Sequence, residues 1–480
     1  MALTVPNAVA AFACLALTFS LQGCGGGGSS TTTTTTTTSS SVSPGPTTSL
    51  GPLGPSTSPS GSLTSTSSTS STPAQPSSWK LEPIELKGSH LYGSRTGNQF
   101  FAKGFAFPNV PSSSVDDWIE SLEKIHGLAP LINTVRVYEF PACAMALPDD
   151  KTFCSFKAFF QKADELGIYV MVPASGRIWG WFPGTPNACN PPLTNSPSDD
   201  LNGCYDSKAG AILGFGRSVV NNFNYPNVLA IVLANEVEQN YQAFPVLKAY
   251  ARDMKAHMKL CNEDAESPTK GKMRQIPLTY AGTDTGNPSL IDLTDYLVCD
   301  SSDSSIDIIG VNMERWVSDS GGDREYKALS DEVGKKQWPA AWIHTEEGGP
   351  DPDHKSRTWN QVKDFFSNYP NFDGYYAYSW HSDNADFDMF DGLSTNATMY
   401  PDGKSFFEAM SKSGPDPSNT QAGITVTPKC ATTLTDKRTN HEYVMIDYNS
   451  IKIYDTGASG WARNCPAPWQ DMELDSSIVV

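Results

Sequence analysis

Val228-Leu229-Ala230-Ile231-Val232-Leu233-Ala234 is an unbroken apolar run that stops at the polar pair Asn235-Glu236. A run this short with no polar face is the pattern of a strand buried on both sides, as in a parallel sheet with helices packed over it. A second run, Ala341-Trp342-Ile343-His344-Thr345, stops at Glu346-Glu347-Gly348. Outward from these two, further strands are predicted at Phe100–Phe107, Ile132–Val137, Ile168–Val172, Ile276–Tyr280, Ile306–Val311 and Tyr375–Ser379. Helical stretches fall between them. One begins at Ser114, with Asp117 placed as its capping-box partner and Val115, Trp118, Ile119, Leu122 and Ile125 on one face. A Phe-rich helix closes at Gly167, and others are predicted near Gly210–Phe223, Phe244–Met258 and Trp359–Phe366. Eight strands alternating with helices predict an α/β fold, a (β/α)8 TIM barrel over residues 80–413. The competing open, doubly wound sheet more often carries a Gly-rich phosphate loop after its first strand, and no such loop is present.

In a TIM barrel the C-terminal strand ends form the reaction face. Glu236 ends the fourth strand and Glu346 the seventh, so the two carboxylates are expected to converge on one pocket. Two opposed carboxyls are what glycosidic bond cleavage needs: one donates a proton to the leaving oxygen, the other, ionised, attacks the anomeric carbon. Asn235 is placed to bond a sugar hydroxyl. Arg136, ending the second strand, is placed to keep Glu346 ionised. Glu347 competes for the nucleophile role, but strand alternation sends neighbours to opposite faces, and Glu346 is read as the inward one. Trp179, Trp181 and Trp380 offer flat apolar faces for sugar rings, against the alternative of barrel-top core for Trp380 and a packed loop for the other two. Asp383, Asp386, Asp388 and Asp391 lack cation-loop spacing and are read as a solvated loop. No metal or cofactor is expected.

The flanks differ sharply in composition. Ala8–Leu21 has the length of a signal-peptide core, so 1–24 is read as a signal peptide, although it lacks a basic start. Residues 25–79 are rich in Gly, Ser, Thr and Pro, too poor in apolar side chains to offset chain entropy, and are read as a disordered tether. Residues 414–480 are read as a small β-rich extension or strapped tail, with β-like runs at Tyr443–Ile446 and Ile451–Tyr454 and no GPI-type apolar tail. Ten cysteines leave eight once Cys14 and Cys24 go with the leader. Their spread has no zinc-site clustering, and an even number behind a secretion signal favours disulfides, Cys143–Cys154 and Cys189–Cys204 being plausible local pairs. Asn396-Ala397-Thr398 is a glycosylation sequon. With 52 acidic against 34 basic residues the net charge is −18, which argues against nucleic acid or anionic membrane as partner but leaves a neutral polysaccharide open. No transmembrane span is expected in the mature chain, which is read as a secreted monomer.

Several motifs together resemble the fungal cell-wall β-1,3-glucanosyltransferases of glycoside hydrolase family 72: Asn133-Thr-Val-Arg-Val-Tyr138, Tyr225-Pro-Asn-Val-Leu-Ala leading to Ala234-Asn-Glu-Val237, Ile276-Pro-Leu-Thr-Tyr280, Leu293-Thr-Asp-Tyr-Leu-Val-Cys299 and Ile309-Gly-Val-Asn-Met313. Thr345-Glu346-Glu347-Gly348 is similar to that family's nucleophile motif. The resemblance implies a retaining barrel enzyme that cuts β-1,3-glucan and transfers the new end to another chain. It implies Glu236 as acid/base, Glu346 as nucleophile, and Arg136, Tyr138, Asn235 and Asn312 as residues contacting sugar or carboxylate. The chain departs from the pattern at Glu314, where the family has a tyrosine, and at Val317 and near Gly349, where it has a cysteine pair. Pro173 stands where an aspartate is expected, and Tyr375-Tyr-Ala-Tyr-Ser-Trp380 alters the late Tyr-rich motif. Two other readings stay open: an endo-hydrolase of β-glucan or β-mannan on the same barrel, and a non-catalytic wall-binding protein on a stalk.

Overall fold

Two short strands, β1 (Ile84–Lys87) and β2 (His90–Gly93), open the described chain as an antiparallel hairpin. Eight parallel strands follow and close into a barrel in chain order: β3 (Ala102–Ala106), β4 (Thr134–Arg136), β5 (Tyr169–Pro173), β6 (Val228–Asn235), β7 (Leu278–Thr283), β8 (Ile308–Met313), β9 (Ala341–Glu347) and β10 (Gly374–Ala377), with β10 pairing back onto β3. In this computed structural model the described residues are 79–465, apart from 108–113, 146–153, 175–204, 206–211, 239–242, 285–288, 315–318, 382–384, 393–395, 415, 419–422, 424, 437–439 and 452–464. The expected leader and tether, Trp179, Trp181, Cys189, Cys204 and Asp383 lie outside the described residues.

All eight expected strands are present, their ends shifted by a few residues. The helices between them are α1 (Val115–Leu128), α2 (Lys157–Leu166), α3 (Ile212–Asn222), α4 (Ala243–Glu263), α5 (Leu290–Leu297), α6 (Asp319–Lys336), α7 (Phe365–Asn368) and, after β10, α8 (Pro401–Ser411). Ser114 is the N-cap of α1, but its side chain makes no cap hydrogen bond, so the expected capping box does not form. The helix start rests instead on Asp116 and Asp117, whose charges favour the N-terminal end of the helix dipole. Trp118, Leu122 and Ile125 are buried as their spacing requires. Trp118 meets Phe107, Phe140, Phe156 and Phe159 at centroid distances of 5.2–5.5 Å, fastening α1 and α2 to the barrel wall. The helix expected over Trp359–Phe366 is broken: a 3-10 turn at Asn360–Lys363 and the single turn of α7 are separated by Asp364 in a non-helical conformation.

The β1–β2 hairpin packs against the N-terminal end of the barrel. Ile84 and Leu91 are buried with Ala102, Tyr169, Leu229, Ile308, Ala341, Ile343 and Tyr376 from the strands. Asp373, just before β10, accepts from the Leu91 amide and the Gln99 side chain at 2.8 Å and faces His90 Nδ1 at 2.9 Å. The Asp164 carboxylate accepts from the Lys80 and Leu81 amides at 2.8 Å. This end of the barrel is plugged.

The tail lies along the outside of the barrel. Cys299–Cys430 and Cys261–Cys465 tie it to the barrel body, and Cys143–Cys154 is the local pair expected from spacing. Arg252 on α4 donates to the carbonyls of Tyr448 (3.1 Å) and Ile451 (2.7 Å). Of the β-like runs expected in the tail, Tyr443–Ile446 overlaps β12 (His441–Val444), whose partner is β11 (Thr433–Asp436). The other run is not part of that hairpin: Ile451 follows a 3-10 turn at Tyr448–Ser450, and 452–454 lie outside the described residues. Among the described residues no helix is long and apolar enough to cross a membrane.

Candidate active site

The sequence brings two glutamates to the open end of the barrel, and irregularities in their strands aim them. Against β8, strand β9 carries one extra residue: Val311 pairs with His344, but Asn312 pairs with Glu346. Strand β10 sees the same insertion, since Tyr375 pairs with His344 and Ala377 with Glu347. A bulge of this kind reverses the in–out phase of the strand beyond it. Upstream, Trp342 faces outward onto Trp338 and Ile343 faces the interior. His344 again faces outward, onto Phe365, Phe372 and Tyr326. Plain alternation would then send Glu346 out. With the bulge, Glu346 turns in toward Arg136 and Tyr138. Glu347 turns out, against His344 and Tyr326 of α6. Gly348 follows with φ +104°, a conformation that disfavours any side chain, and a Cβ there would lie 2.8 Å from Trp359. Strand β6 is likewise irregular against both neighbours, and it delivers Glu236 with φ +50°. A non-glycine residue in that region costs of order 1 kcal/mol, offset here by bonds from both ends of the residue. The Glu236 amide donates to Ala281 at 2.8 Å, and its carboxylate accepts from Asn312.

Four strands contribute to one hydrogen-bond network. Arg136, at the end of β4, is 1% exposed. Its Nη1 donates to Glu346 Oε1 (2.8 Å) and the Thr345 carbonyl (3.1 Å), and its Nη2 to Asn235 Oδ1 (2.6 Å). Tyr138 donates its hydroxyl to Glu346 Oε1 at 2.9 Å, its ring 4.5 Å from the guanidinium. Asn312 Nδ2 donates to Glu236 Oε1 at 2.7 Å and to Asn235 Oδ1 at 3.2 Å. Its orientation is fixed by Thr345, whose hydroxyl donates to Asn312 Oδ1 at 2.7 Å. The close approach of β9 to β8 depends on Gly310, where a Cβ would sit 2.7 Å from the Thr345 side chain. The two carboxyls are therefore joined through Asn312 and Arg136.

The environments of the two carboxyls differ. Burial pushes the Glu236 carboxyl above its ordinary range, the negative charge of Glu346 adds to this, and Asn312 and Arg136 only partly oppose it. Glu346, by contrast, accepts from the Arg136 guanidinium and the Tyr138 phenol on the same oxygen. Burial works against the Arg136 charge, but Tyr138, Glu346 and Glu236 outweigh it and hold the proton more firmly than usual. Glu238, two residues beyond Glu236, accepts from the Thr283 amide at 2.8 Å, and burial pushes its carboxyl up to about 7.

Arg136, Tyr138, Asn235, Glu236, Asn312 and Glu346 thus come together. Trp380 does not join them. It is fully buried, stacked on Phe390 at 3.9 Å, with Lys124 Nζ 5.3 Å from its ring and its Nε1 bonded to the Gly392 carbonyl at 3.2 Å. No face of Trp380 is left for a sugar, and the barrel-top core reading replaces the expected binding role. The Asp loop is structural where it is described: Asp388 pairs with His381 at 2.7 Å and Asp391 accepts from the Thr398 amide. Among the described residues no group of side chains suits a metal ion. Two residues at the site went unassigned in the sequence reading. Tyr378 lies edge-on to Tyr138 at 6.1 Å. Glu314 is the residue after β8, and burial, with Glu346 and Glu236 nearby, pushes its carboxyl upward. A two-residue count from Asn312 would have placed it on the same face.

A family model described as Glucanosyltransferase matches residues 206–412. Protein EPD1 of Candida maltosa is 28% identical over 252 residues, half of this chain and 38% of that protein. The 1,3-beta-glucanosyltransferase gel2 of Aspergillus fumigatus is 25% identical over 252 residues, and GAS5 of Saccharomyces cerevisiae 26% over 261, each match covering 45% of the relative. The chain therefore spans less than half the length of these relatives. Among solved structures, a mutant of Saccharomyces cerevisiae Gas2p in complex with laminaritetraose and laminaripentaose superposes with a TM-score of 0.52 at 21% identity, covering 73% of this chain and 71% of that one. At that identity the likeness is one of fold.

Proposed function

We propose that this chain is a divergent member of the glucanosyltransferases of glycoside hydrolase family 72, and that it cuts and rejoins β-1,3-glucan with retention of configuration. The observation that carries the reading is the bridge between the carboxyls. Asn312 holds Glu236 at 2.7 Å, and Arg136, bonded to Asn235 beside it, holds Glu346 at 2.8 Å. Glu346 is the nucleophile and Glu236 the acid/base.

In the first step a Glu346 oxygen bonds to the anomeric carbon as the glycosidic bond breaks, and the proton of Glu236 passes to the leaving oxygen. The raised affinity of Glu236 for its proton suits it to wait in the acid form. Arg136 and Tyr138 hold Glu346 charged and oriented until attack. In the second step Glu236, now a carboxylate, takes a proton from an incoming sugar hydroxyl, which attacks the same carbon and releases Glu346. Water in place of that hydroxyl gives hydrolysis. Covalent transfer by this route requires the carboxyls about 5–5.5 Å apart. Asn235 and Asn312 are the groups proposed to bond sugar hydroxyls next to the reacting carbon.

Two further features support a secreted enzyme of the cell exterior or wall, proposed to act as a monomer: the three disulfides among the described residues and the exposed Asn396 of the sequon. Incubation of the purified chain with reduced laminari-oligosaccharides tests the reading. Products longer than the substrate mean transfer. Shorter products alone mean an endo-hydrolase, a parallel β-mannan digest separates the mannanase alternative, and binding without turnover means a non-catalytic wall protein.

A further inference from the structure

Beyond Glu236 the chain continues through Val237 to Glu238, a buried acid that the proposed steps leave unused. Strand β6 pairs with β7 as far as Asn235 opposite Ala281, and the Glu236 amide donates to the Ala281 carbonyl at 2.8 Å. In a regular parallel ladder the next rung would run from the Thr283 amide to the Glu236 carbonyl. The positive φ of Glu236 turns the chain out of that register. A side chain makes the rung: Glu238 Oε1 accepts from the Thr283 amide at 2.8 Å. Gly282 leaves room for it, since a Cβ there would overlap that oxygen. One residue on, the Asp284 amide donates to the Asn312 carbonyl at 3.1 Å, and Asn312 Nδ2 returns to Glu236 Oε1 at 2.7 Å. The ends of β6, β7 and β8 are thus stitched into a ring around Glu236, and Glu238 supplies one stitch.

We infer that Glu238 is a positioning residue of the proposed reaction: its carboxyl oxygen holds the end of β7 against the turn at Glu236 and so fixes where the acid/base carboxyl points. The inference rests on the assignment of Glu236 as acid/base. Two anchors on the same neighbouring strand bracket the turn, the Glu236 amide on Ala281 and the Glu238 side chain on Thr283. A non-glycine residue at φ +50° persists only where its surroundings over-determine it. With the second anchor gone, the turn relaxes toward an ordinary φ and the Glu236 carboxyl swings away from the leaving oxygen. An acid misplaced by about 1 Å loses on the order of a hundredfold in rate. A carboxyl oxygen accepts in either protonation state, so the role needs the oxygen and not the charge.

The test compares kcat/KM, per folded molecule, on two substrates. Laminari-oligosaccharides need a proton on the leaving oxygen, whereas a 2,4-dinitrophenyl laminari-oligosaccharide leaves without one. Glu236→Gln sets the reference, with a large loss on the first substrate and a small one on the second. Glu238→Leu removes the acceptor and should lose about a hundredfold on the oligosaccharides while staying within about threefold on the activated substrate. Glu238→Gln keeps an oxygen at that place and should recover most of the loss. Gly282→Ala displaces the carboxyl from the facing strand and should show the same split with Glu238 intact; if Glu238→Leu does not fold, this variant decides. Equal losses on both substrates would mean a general structural role, and unchanged rates would mean that the bond does not aim the acid. A failure of Glu238→Gln to recover would mean that the charge matters and not the oxygen. Each of these overturns the inference while leaving the proposed function standing. If Glu236→Gln itself loses both substrates alike, the acid/base assignment fails and the inference falls with it.

Discussion

Burial pushes carboxyls upward at both ends of the barrel, but the two ends surround them with different partners. At the plugged end, Asp373 sits at 0% exposure among three donors: the Leu91 amide, the Gln99 side chain and His90. Burial works against the His90 cation, but Asp373 outweighs it and holds the proton above the imidazole's usual range. At the open end, Glu236, Glu314 and Glu346 face a single guanidinium, and two of the three are pushed toward their neutral forms. One end spends its polar groups on pinning a hairpin in place. The other keeps groups under mutual repulsion within reach of solvent, a state that favours folding less and proton transfer more.

The largest expected effect breaks the comparison from the catalytic side. Glu346→Gln and Glu236→Gln should each lower kcat by several powers of ten while the melting temperature stays within a few degrees of wild type. Glu347→Gln, whose side chain faces α6, should keep the rate within about tenfold. Steady-state kinetics with a melting curve for each variant checks this. Equal losses in Glu347→Gln would mean that β9 is aimed differently.

Next comes the plugged end. Asp373→Ala leaves buried donors facing a gap and should cost about 3–5 kcal/mol of stability, with kcat per folded molecule unchanged. Denaturant unfolding and a titrated active-site count separate the two quantities. A rate loss beyond the folded fraction would show that the ends are coupled.

The smallest effect sharpens the comparison, because Glu238 stands between the two behaviours. Its carboxyl is raised from an ordinary 4.5 to about 7, so the folded state binds this proton more tightly than the unfolded chain does. The resulting stability is fully present below about pH 4.5 and is lost as pH rises through about 7, a change of about 3 kcal/mol at most. Glu238→Gln should flatten that part of the stability–pH curve and raise the melting temperature at pH 8 relative to wild type. An unchanged slope would place the titration elsewhere.

Much of the fold was legible because the signal is local. Runs such as Val228–Leu233 and Ile306–Val311 can satisfy their backbones only as neighbours in a covered sheet, and their count gives the barrel. The β1–β2 hairpin was not legible: its two strands are four residues each, and their burial comes from barrel residues distant in the chain. The capping box at Ser114 failed although the residue types fit, because the helix start is carried by Asp116 and Asp117 without a side-chain cap. At the site, residue identity and strand position pointed to Arg136, Asn235, Glu236 and Glu346, while Tyr138 and Asn312 came from the family resemblance. Orientation was harder to read. The inward turn of Glu346 depends on an inserted residue in β9 that no hydrophobic pattern announces, and the burial of Trp380 depends on Phe390 ten residues later. Glu314 was visible as a departure from a family pattern that sets an aromatic hydroxyl near the nucleophile.

The most direct test of the central claim is to trap the covalent intermediate. A 2-fluoro laminari-oligosaccharyl fluoride, incubated with the enzyme and followed by peptide mass spectrometry, should leave one sugar ester on Glu346 and none in Glu346→Gln. An ester on Glu347 or Glu314, or an enzyme that turns over glucan yet accumulates no ester, would contradict the account.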